Sequence, residues 1–253
     1  MLALITATHN SMSTLSAALA SIEDIRHQVK SVFVDGQSTD GTFEYLASYV
    51  ESTTNAVLLA QDGIGLYPAL NQGIQAAIND PEVTHIGMLH SDDQLIPAAF
   101  AKQLAIIDSS QAVIFYSDIE FHNSSGKSVR KWNAGKFSRF KLNTGWMPPH
   151  TSMIVEKSVY QRLGLYNPSF GTAADYEWIV RVLMELGDET KYFPERTVTM
   201  LVGGASSASL AARIRANAMD AKVWAGHSWL RPLVIRLFKP LRKLGQFIFV
   251  ESR

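Results

Sequence analysis

The sequence predicts an α/β fold in which helices cover both faces of a mostly parallel, doubly wound sheet. Five short apolar runs, rich in β-branched residues and separated by helical patterns, are typical of strands at 2–6, 31–35, 56–60, 85–90 and 112–117. This alternation favours parallel strands, because each helix returns the chain to the same edge of the sheet. The 253 residues, 47% of them hydrophobic, are sufficient for a full core.

Each predicted helix lies between two strands or follows the last of them. The first has Leu15 and Leu19 on one face, with Ser11 or Ser13 as its N-cap. Another begins at Pro97, and the remaining helices are predicted at 43–50, 66–78, 155–163, 175–186 and 210–224. After residue 120 the pattern loosens, and residues 127–141 are basic and aromatic without an acidic residue. That stretch is either a charged surface loop or a contact for an anionic group.

Bulk composition excludes several classes of protein. The formal net charge of zero argues against a nucleic-acid binder that is held by phosphate contacts. The absence of cysteine excludes disulfides and thiolate metal sites, and it fits a reducing compartment such as the cytoplasm. No run of about 18 apolar residues occurs, and the N-terminus lacks the basic start of a signal peptide, so neither a membrane span nor secretion is expected.

Residues 227–253 predict a basic amphipathic tail after a domain at 1–226. On a helix, one face is apolar and is formed by Leu230, Leu233, Val234, Leu237, Leu241, Leu244 and Ile248. The other face is basic and is formed by Arg231, Arg236, Lys239, Arg242 and Lys243. This pattern indicates either a helix that lies on an anionic membrane surface or one that packs on the domain with its basic face in solvent. Pro240 should split the helix into two segments.

Polar side chains gather where the predicted strands end, in the segments ATHN, DGQSTDG and HSDDQ. Ligands of such sheets bind at the carboxyl ends of the strands. Neither GxGxxG after the first strand nor GxxxxGK[ST] occurs, so both common phosphate loops are absent. A bound nucleotide would therefore depend on carboxylates, a metal ion and loop amides.

Two adjacent carboxylates, Asp92 and Asp93, follow the fourth strand. Neighbouring side chains of extended backbone point to opposite sides, so one aspartate can bind a hard divalent cation while the other accepts from sugar hydroxyls. An ordinary acidic turn before the helix at Pro97 is the alternative. For residues 35–42 the alternative is a turn with a helix cap, which explains Asp35 least.

Taken together, the motifs resemble family 2 glycosyltransferases, most closely the bacterial polysaccharide-building members. The resemblance spans residues 3–207 and is carried in order by ATHN, VDGQSTDGT, GLYPALNQGI, LHSDD, PPHTSM, AADYEW and GGAS. It implies a GT-A-type fold with a nucleotide-binding half at about 1–118 and an acceptor-side half at about 119–226. It also implies inverting transfer from a nucleotide-sugar.

Roles for individual residues follow from the resemblance. It implies a nucleotide pocket lined by Thr6, His9 and Asp35, with Asp92 facing the ribose or sugar and Asp93 binding Mn²⁺ or Mg²⁺. Asp175 matches the catalytic base, although a helix cap is the other interpretation of its position. His150 matches the histidine that approaches the acceptor or the diphosphate, and a structural histidine is the alternative there.

These matches predict a metal-dependent enzyme that moves a single sugar, with a UDP-sugar favoured as donor, to a saccharide or lipid-linked acceptor. Such an enzyme would serve cell-surface polysaccharide biosynthesis from the cytoplasm, or peripherally on the cytoplasmic face of the inner membrane. Pro68 and Gly63 depart from the family pattern near the donor, and the QxxRW signature of processive synthases is absent. A sugar nucleotidyltransferase and a non-catalytic nucleotide-sugar or glycan-binding protein are the alternatives.

Overall fold

In a computed structural model, residues 1–202, 218–224, 234–235, 237–239 and 246 are described. The strands are β1 Leu2–Thr8, β2 Val29–Asp35, β3 Ala56–Ala60, β4 His85–Met88, β5 Asp93–Leu95, β6 Ile114–His122, β7 Ser128–Trp132, β8 Ile154–Glu156 and β9 Thr190–Leu201. The helices are α1 Met12–Ala20, α2 Thr42–Glu51, α3 Leu66–Asn79, α4 Pro97–Asp108, α5 Arg139–Asn143, α6 Lys157–Leu163 and α7 Ala174–Leu186. The GGAS motif and the first part of the helix predicted at 210–224 lie outside these residues.

The strands form a single nine-stranded sheet in the order β3-β2-β1-β4-β8-β6-β9-β5, with β7 paired to β6. The pairs among β1, β2, β3 and β4 are all parallel, as strand–helix alternation predicts. Beyond β4 the sheet is mixed, because β8 runs antiparallel to both neighbours and β5 runs antiparallel to β9. The prediction of a mostly parallel sheet is therefore wrong for the second half of the chain.

Helices cover both faces of the sheet, as predicted. Ala3 and Ile5 of β1 belong to one buried cluster, together with residues of α3, α6 and α7. Leu2 and Leu4 belong to the other, together with residues of α1, α2 and α4. Alternate residues of one strand thus enter opposite layers of the core, which is the period of two that a central strand requires.

Helix α3 lies unusually close to the sheet, and Gly73 is the reason. A Cβ atom at this position would lie 2.4 Å from Cγ2 of Ile5 and 3.2 Å from Cγ2 of Val34. Only glycine leaves room for the helix to approach β1 and β2 at this distance. This close approach sets the position of α3, and of the side chains near its N-terminus, relative to the carboxyl ends of β1 and β2.

The described residues of the tail lie partly against the domain. Ile235 has no exposed surface and Lys239 is 8% exposed, whereas Leu237 and Phe238 remain 58% and 48% exposed. The expectation that Lys239 belongs to an outward basic face is therefore wrong, because the domain covers it. The other four basic residues predicted on that face lie outside the described residues. No helix within the described ranges is long and apolar enough to cross a membrane.

Candidate active site

The loops that follow β1 and β2 form one hydrogen-bonded unit at the carboxyl edge of the sheet. The Asn10 amide donates to Ser38 Oγ at 2.8 Å, and the Thr39 amide donates to Asn10 Oδ1 at 2.8 Å. Asn10 and Gln37 have φ angles of 50° and 60°, in the left-handed region that non-glycine residues rarely occupy. Two such residues side by side indicate loops that are held in one conformation by their contacts.

Asp35 holds the two loops together through buried hydrogen bonds. It is 2% exposed, and it accepts from Thr8 Oγ1 at 2.8 Å, from the Ser38 amide at 2.9 Å and from Ser38 Oγ at 2.6 Å. These bonds engage both carboxylate oxygens, so the carboxylate shapes the pocket wall from within the loops. A direct bond from Asp35 to a nucleotide remains a prediction.

The two other residues predicted for the nucleotide pocket differ in access. His9 is exposed at the loop surface, and its Nδ1 donates to the Gly36 carbonyl at 2.7 Å, which leaves Nε2 directed away from that bond. Thr6 is 2% exposed inside β1, two residues before the strand ends. Thr6 therefore has little surface to offer a ligand, and its predicted contact remains untested.

Asp92 lies in the turn before β5 and Asp93 begins that strand, so the extended backbone expected for the pair is absent at Asp92. Asp92 is half-buried, whereas Asp93 is 1% exposed at the start of β5, opposite Met200 of β9. Oδ2 of Asp93 is buried without a hydrogen-bond partner among the described residues. Burial and the neighbouring charge of Asp92 raise the pKa of Asp93 well above its ordinary value.

An unpartnered, buried carboxylate oxygen fits a divalent cation, since a cation removes the cost of burying the charge. No group of three or more histidine or carboxylate side chains in the described part of the chain could hold a metal ion alone. Magnesium and manganese sites commonly use one or two carboxylates and take further oxygens from phosphates and water. The pair of aspartates therefore fits an ion that arrives with a diphosphate.

Asp175 lies in the first turn of α7 and is half-buried. Its Oδ1 accepts from Tyr67 Oη at 3.2 Å and from the Tyr176 amide at 2.8 Å. The N-cap of α7 is Ala173, so the helix-cap interpretation of Asp175 is wrong. Burial raises the pKa of Asp175, and the positive charge of Lys239 opposes that rise. A carboxylate with a raised pKa suits a base that must accept a proton.

Histidine and tyrosine side chains connect the two carboxylate sites. The rings of His90 and His150 lie 5.9 Å apart, and His150 Nε2 lies 2.7 Å from Tyr166 Oη. Burial lowers the pKa of each histidine to about 4, so both are neutral at pH 7. His150 lies beside His90 and Tyr166, and its contact with an acceptor or a diphosphate stays a prediction.

Side chains of the motif GLYPALNQGI, in α3, hold neighbouring parts of the chain together. Tyr67 reaches Asp175, and Asn71 exchanges two hydrogen bonds with the backbone of Tyr166, at 2.9 and 3.0 Å. Gln72 donates to the Ala60 carbonyl at 2.8 Å, and its side-chain oxygen accepts from the Asp62 amide at 2.8 Å. One helix therefore connects the start of α7 and the backbone of Tyr166 with the end of β3. The sequence reasoning did not identify Tyr67, His90 or Tyr166 as site residues.

The basic stretch at 127–141 is mainly engaged in structural contacts. Arg130 lies over the Phe121 ring, 4.2 Å from its centroid, and its Nε donates to Gln246 Oε1 at 2.6 Å. Arg139 donates to Asp188 at 3.0 Å. These contacts favour the surface interpretation of the stretch for the residues that make them.

The amino-acid sequence of this chain is similar to those of known glycosyltransferases. The profile of the family described as "Glycosyl transferase family 2" matches residues 3–164. A PGL/p-HBAD biosynthesis glycosyltransferase of Mycobacterium bovis is 24% identical over 196 residues, which cover 76% of this chain and 73% of the relative. An uncharacterized glycosyltransferase of Mycobacterium tuberculosis is 26% identical over 192 residues, which cover 71% of this chain and 68% of the relative.

Solved structures show the same fold. S. aureus TarS 1–349 in complex with UDP-GlcNAc superposes with a TM-score of 0.68 at 13% identity, covering 96% of this chain and 72% of that one. The mannosyltransferase PcManGT from Pyrobaculum calidifontis, in complex with GDP-Man and Mn²⁺, superposes with a TM-score of 0.64 at 15% identity. That match covers 95% of this chain and 71% of the mannosyltransferase.

Proposed function

The chain belongs to glycosyl transferase family 2 and is a transferase, and we propose that it moves a single sugar, with inversion, from a nucleotide-sugar to an acceptor hydroxyl. One observation carries the proposal. His90 lies within electrostatic range of both the half-buried Asp175, which Tyr67 holds, and Asp92 of the adjacent carboxylate pair. An inverting transfer needs one base on the acceptor side and neutralisation of a diphosphate on the other side.

The donor side would be formed by the unit that joins the loops after β1 and β2. His9 offers an exposed ring to a base, and Asp35 fixes the loop conformation that forms the pocket wall. A UDP-sugar is the favoured donor, and the TarS complex with UDP-GlcNAc supports this assignment. The PcManGT complex contains GDP-Man, so a GDP-sugar is included in the test.

We assign Asp93 as the protein ligand of a divalent cation and Asp92 as the partner of ribose or sugar hydroxyls. The unpartnered Oδ2 of Asp93 supports the first assignment, and the greater exposure of Asp92 supports the second. A bound Mn²⁺ or Mg²⁺ ion would supply positive charge to the leaving diphosphate. The Mn²⁺ in the mannosyltransferase complex agrees with this choice of ion.

On the acceptor side, Asp175 would take the proton of the attacking hydroxyl at a carboxylate oxygen. Tyr67 Oη donates to Oδ1, so this bond orients the carboxylate and leaves Oδ2 for the acceptor. His90 and His150 are neutral at pH 7 and can donate or accept without adding charge to the crevice.

We propose a saccharide or lipid-linked acceptor and a role in cell-surface polysaccharide biosynthesis. The exposed side chains of Leu237 and Phe238 support a site of contact with a lipid surface, on the cytoplasmic face of a membrane. In this proposal residues 1–226 form the catalytic domain, and the tail both packs on it and presents its apolar side chains outward. Family membership removes the support for a nucleotidyltransferase or a non-catalytic binding protein.

Donor binding and turnover test the function directly. UDP-, GDP- and dTDP-sugars are screened by thermal shift with Mn²⁺, with Mg²⁺ and with excess EDTA. Release of the nucleoside diphosphate is then measured for each nucleotide-sugar that binds. We expect one nucleotide class to raise Tm in a metal-dependent way and to be turned over by the wild type. Equal stabilisation by every class, or by none, would contradict the proposal.

A further inference from the structure

The C-terminal segment, of which residues 218–224, 234–235, 237–239 and 246 are described, supplies contacts to Tyr176, the neighbour of Asp175. Nε1 of Trp224 donates to Tyr176 Oη at 2.9 Å. Nζ of Lys239 lies 3.2 Å from the centroid of the Tyr176 ring, so its ammonium makes a cation–π contact. Residues far apart in sequence therefore meet at the helix that carries the base.

Lys239 is a buried charge with a specific set of partners. Its Nζ lies 2.7 Å from Oδ2 of Asp220, and its side chain is 9% exposed. Burying an ammonium is unfavourable unless nearby groups compensate it, and Asp220 and the Tyr176 ring supply that compensation. A lysine that only covered an apolar surface would extend its amine into water. The ammonium group of Lys239 is therefore held in its buried position by specific partners.

The close packing of Lys239 depends on Gly145. This glycine has a φ angle of +86°, and a Cβ atom there would lie 2.9 Å from Lys239 Cβ. The backbone conformation and the missing side chain both make room for the segment. The domain is therefore shaped to receive it.

The positive charge of Lys239 also acts on Asp175. It opposes the rise that burial causes in the pKa of this carboxyl. The other groups that face Asp175 carry less positive charge, because Tyr67 is a neutral donor and His90 is neutral at pH 7. Lys239 is thus the main cation beside the carboxylate among the described residues, and Asp220 balances part of its charge.

We propose that Lys239 is a positioning residue for the transfer reaction, holding Asp175 in its ionised form from the C-terminal segment, so that this segment completes the active site. The proposal rests on the proposed function of Asp175 as the base. Lys239 touches neither substrate nor acceptor in this role. It acts through the carboxylate and through the ring beside it.

The pH dependence of kcat/KM tests this role in the full chain. Lys239→Gln removes the charge but keeps a donor for Asp220, Lys239→Arg keeps the charge, and Lys222→Gln is a matched control on an exposed lysine of the same segment. Without the cation, burial acts on Asp175 unopposed, so its carboxyl keeps a proton to higher pH. The acid limb of Lys239→Gln should therefore move to higher pH, with activity recovering at alkaline pH. The limbs of the Arg variant and of the control should stay with the wild type.

A loss of activity by Lys239→Gln that is the same at every pH would overturn the proposal, because it would indicate a purely structural role. Nucleoside diphosphate release from the nucleotide-sugar found in the panel is the readout. Circular dichroism and Tm at each pH establish that the variants are folded.

A second measurement needs no substrate. Denaturant unfolding of the wild type, Lys239→Gln, Asp175→Asn and the double variant gives a double-mutant cycle. Two charged groups that act on each other should show a coupling of roughly three- to hundredfold in the unfolding equilibrium constant. The coupling should be present near neutral pH, weaken at alkaline pH because burial lowers the pKa of Lys239, and disappear as acid protonates Asp175. Additive effects at every pH would overturn the proposal. Coupling without turnover of any nucleotide-sugar would instead reject the proposed function and leave the electrostatic coupling of the two residues established.

Discussion

Single side chains decide the chemistry, and the two carboxylate sites illustrate how. Asp93 is buried and Asp175 is half-buried, and burial raises the pKa of both. Their partners differ, since Oδ2 of Asp93 has none among the described residues, whereas Oδ1 of Asp175 has two donors. The first arrangement suits a cation and the second suits a base that must stay oriented.

Asp175→Asn should bind the donor normally and lose turnover by about 10²–10⁴-fold, the usual contribution of a positioned general base. The amide has almost the shape of the carboxylate but takes up no proton. Because burial raises the pKa of Asp175, the ionised base is lost as pH falls, beginning at a higher pH than for an exposed aspartate. Steady-state kinetics and isothermal titration with the donor measure both effects. Near-wild-type turnover would show that another residue is the base.

Asp93→Ala should abolish metal-dependent donor binding, because it removes the protein ligand of the cation. Asp35→Ala should weaken the nucleotide and reduce the free energy of unfolding by roughly 2 kcal/mol, since it removes three bonds to a buried carboxylate. The metal requirement should remain in this second variant. Titration with donor in Mn²⁺ and in EDTA separates the two effects. Full activity of the wild type in excess EDTA would reject the metal assignment.

Sequence patterns identified the carboxylates because acidic side chains at strand ends are locally unusual. They did not identify Tyr67 or Lys239. Tyr67 contacts a residue 108 positions away in the chain, and Lys239 is distinguished by its burial. A tyrosine in a helix and a lysine in a basic tail each have an ordinary local explanation. Only the packing of α3 and of Lys239 against α7 brings the two side chains to the start of that helix.

Secondary-structure elements carry these side chains to one edge, and the parallel half followed directly from sequence. All five predicted strands and the helices between them are present. Most ends differ by one or two residues, whereas β6 begins two residues later and ends five residues later than predicted. The sequence missed β5, β7, β8 and β9. Two of them have three residues, too few for a pattern, and β9 contains Pro194, which argues against a strand. The register between β6 and β9 shifts at that proline, so the structure accommodates it as an irregularity.

Helix α3 provides a test of how an element positions the site. Gly73→Ala should lower the free energy of unfolding by about 1–2 kcal/mol, because steric overlap with Ile5 outweighs the helix propensity that alanine gains. Moving the helix outward should also reduce turnover, because Tyr67 would lose contact with Asp175. Denaturant unfolding and kcat are the measurements. Gln75→Ala, on the exposed side of the same helix, is the control. A stabilised Gly73→Ala variant would show that the sheet yields to the added methyl group.

At the scale of the whole molecule, the proposed division is a donor half, an acceptor half and a tail. Amphipathic periodicity in the tail predicted a helix but not its orientation. Ile235 and Lys239, one helical turn apart, face the domain, and the more exposed Leu237 and Phe238 lie between them. This face packs on the domain because Asp220 and the Tyr176 ring stabilise the buried ammonium group of Lys239. Periodicity alone contains no information about such a partner.

Membrane docking is tested on the exposed pair. Leu237→Ser with Phe238→Ser should reduce co-sedimentation of the full chain with anionic vesicles, because it removes apolar surface available for insertion. High salt should reduce binding of the wild type by screening the basic residues. A chain that ends at Ala225 and the Lys222→Gln variant are compared in parallel. Equal pelleting of all four proteins, or none with anionic lipid, would reject docking through the tail.

The burial of Lys239 beside α7 also bears on how the protein matures on the ribosome. Domains fold from the N-terminus as the chain emerges, so the sheet and Asp175 can assemble while Lys239 is still inside the exit tunnel. A nascent chain at that stage would hold a base whose burial no cation opposes. If Lys239 has the role proposed above, translation itself would delay full activity until the last part of the site has been synthesised.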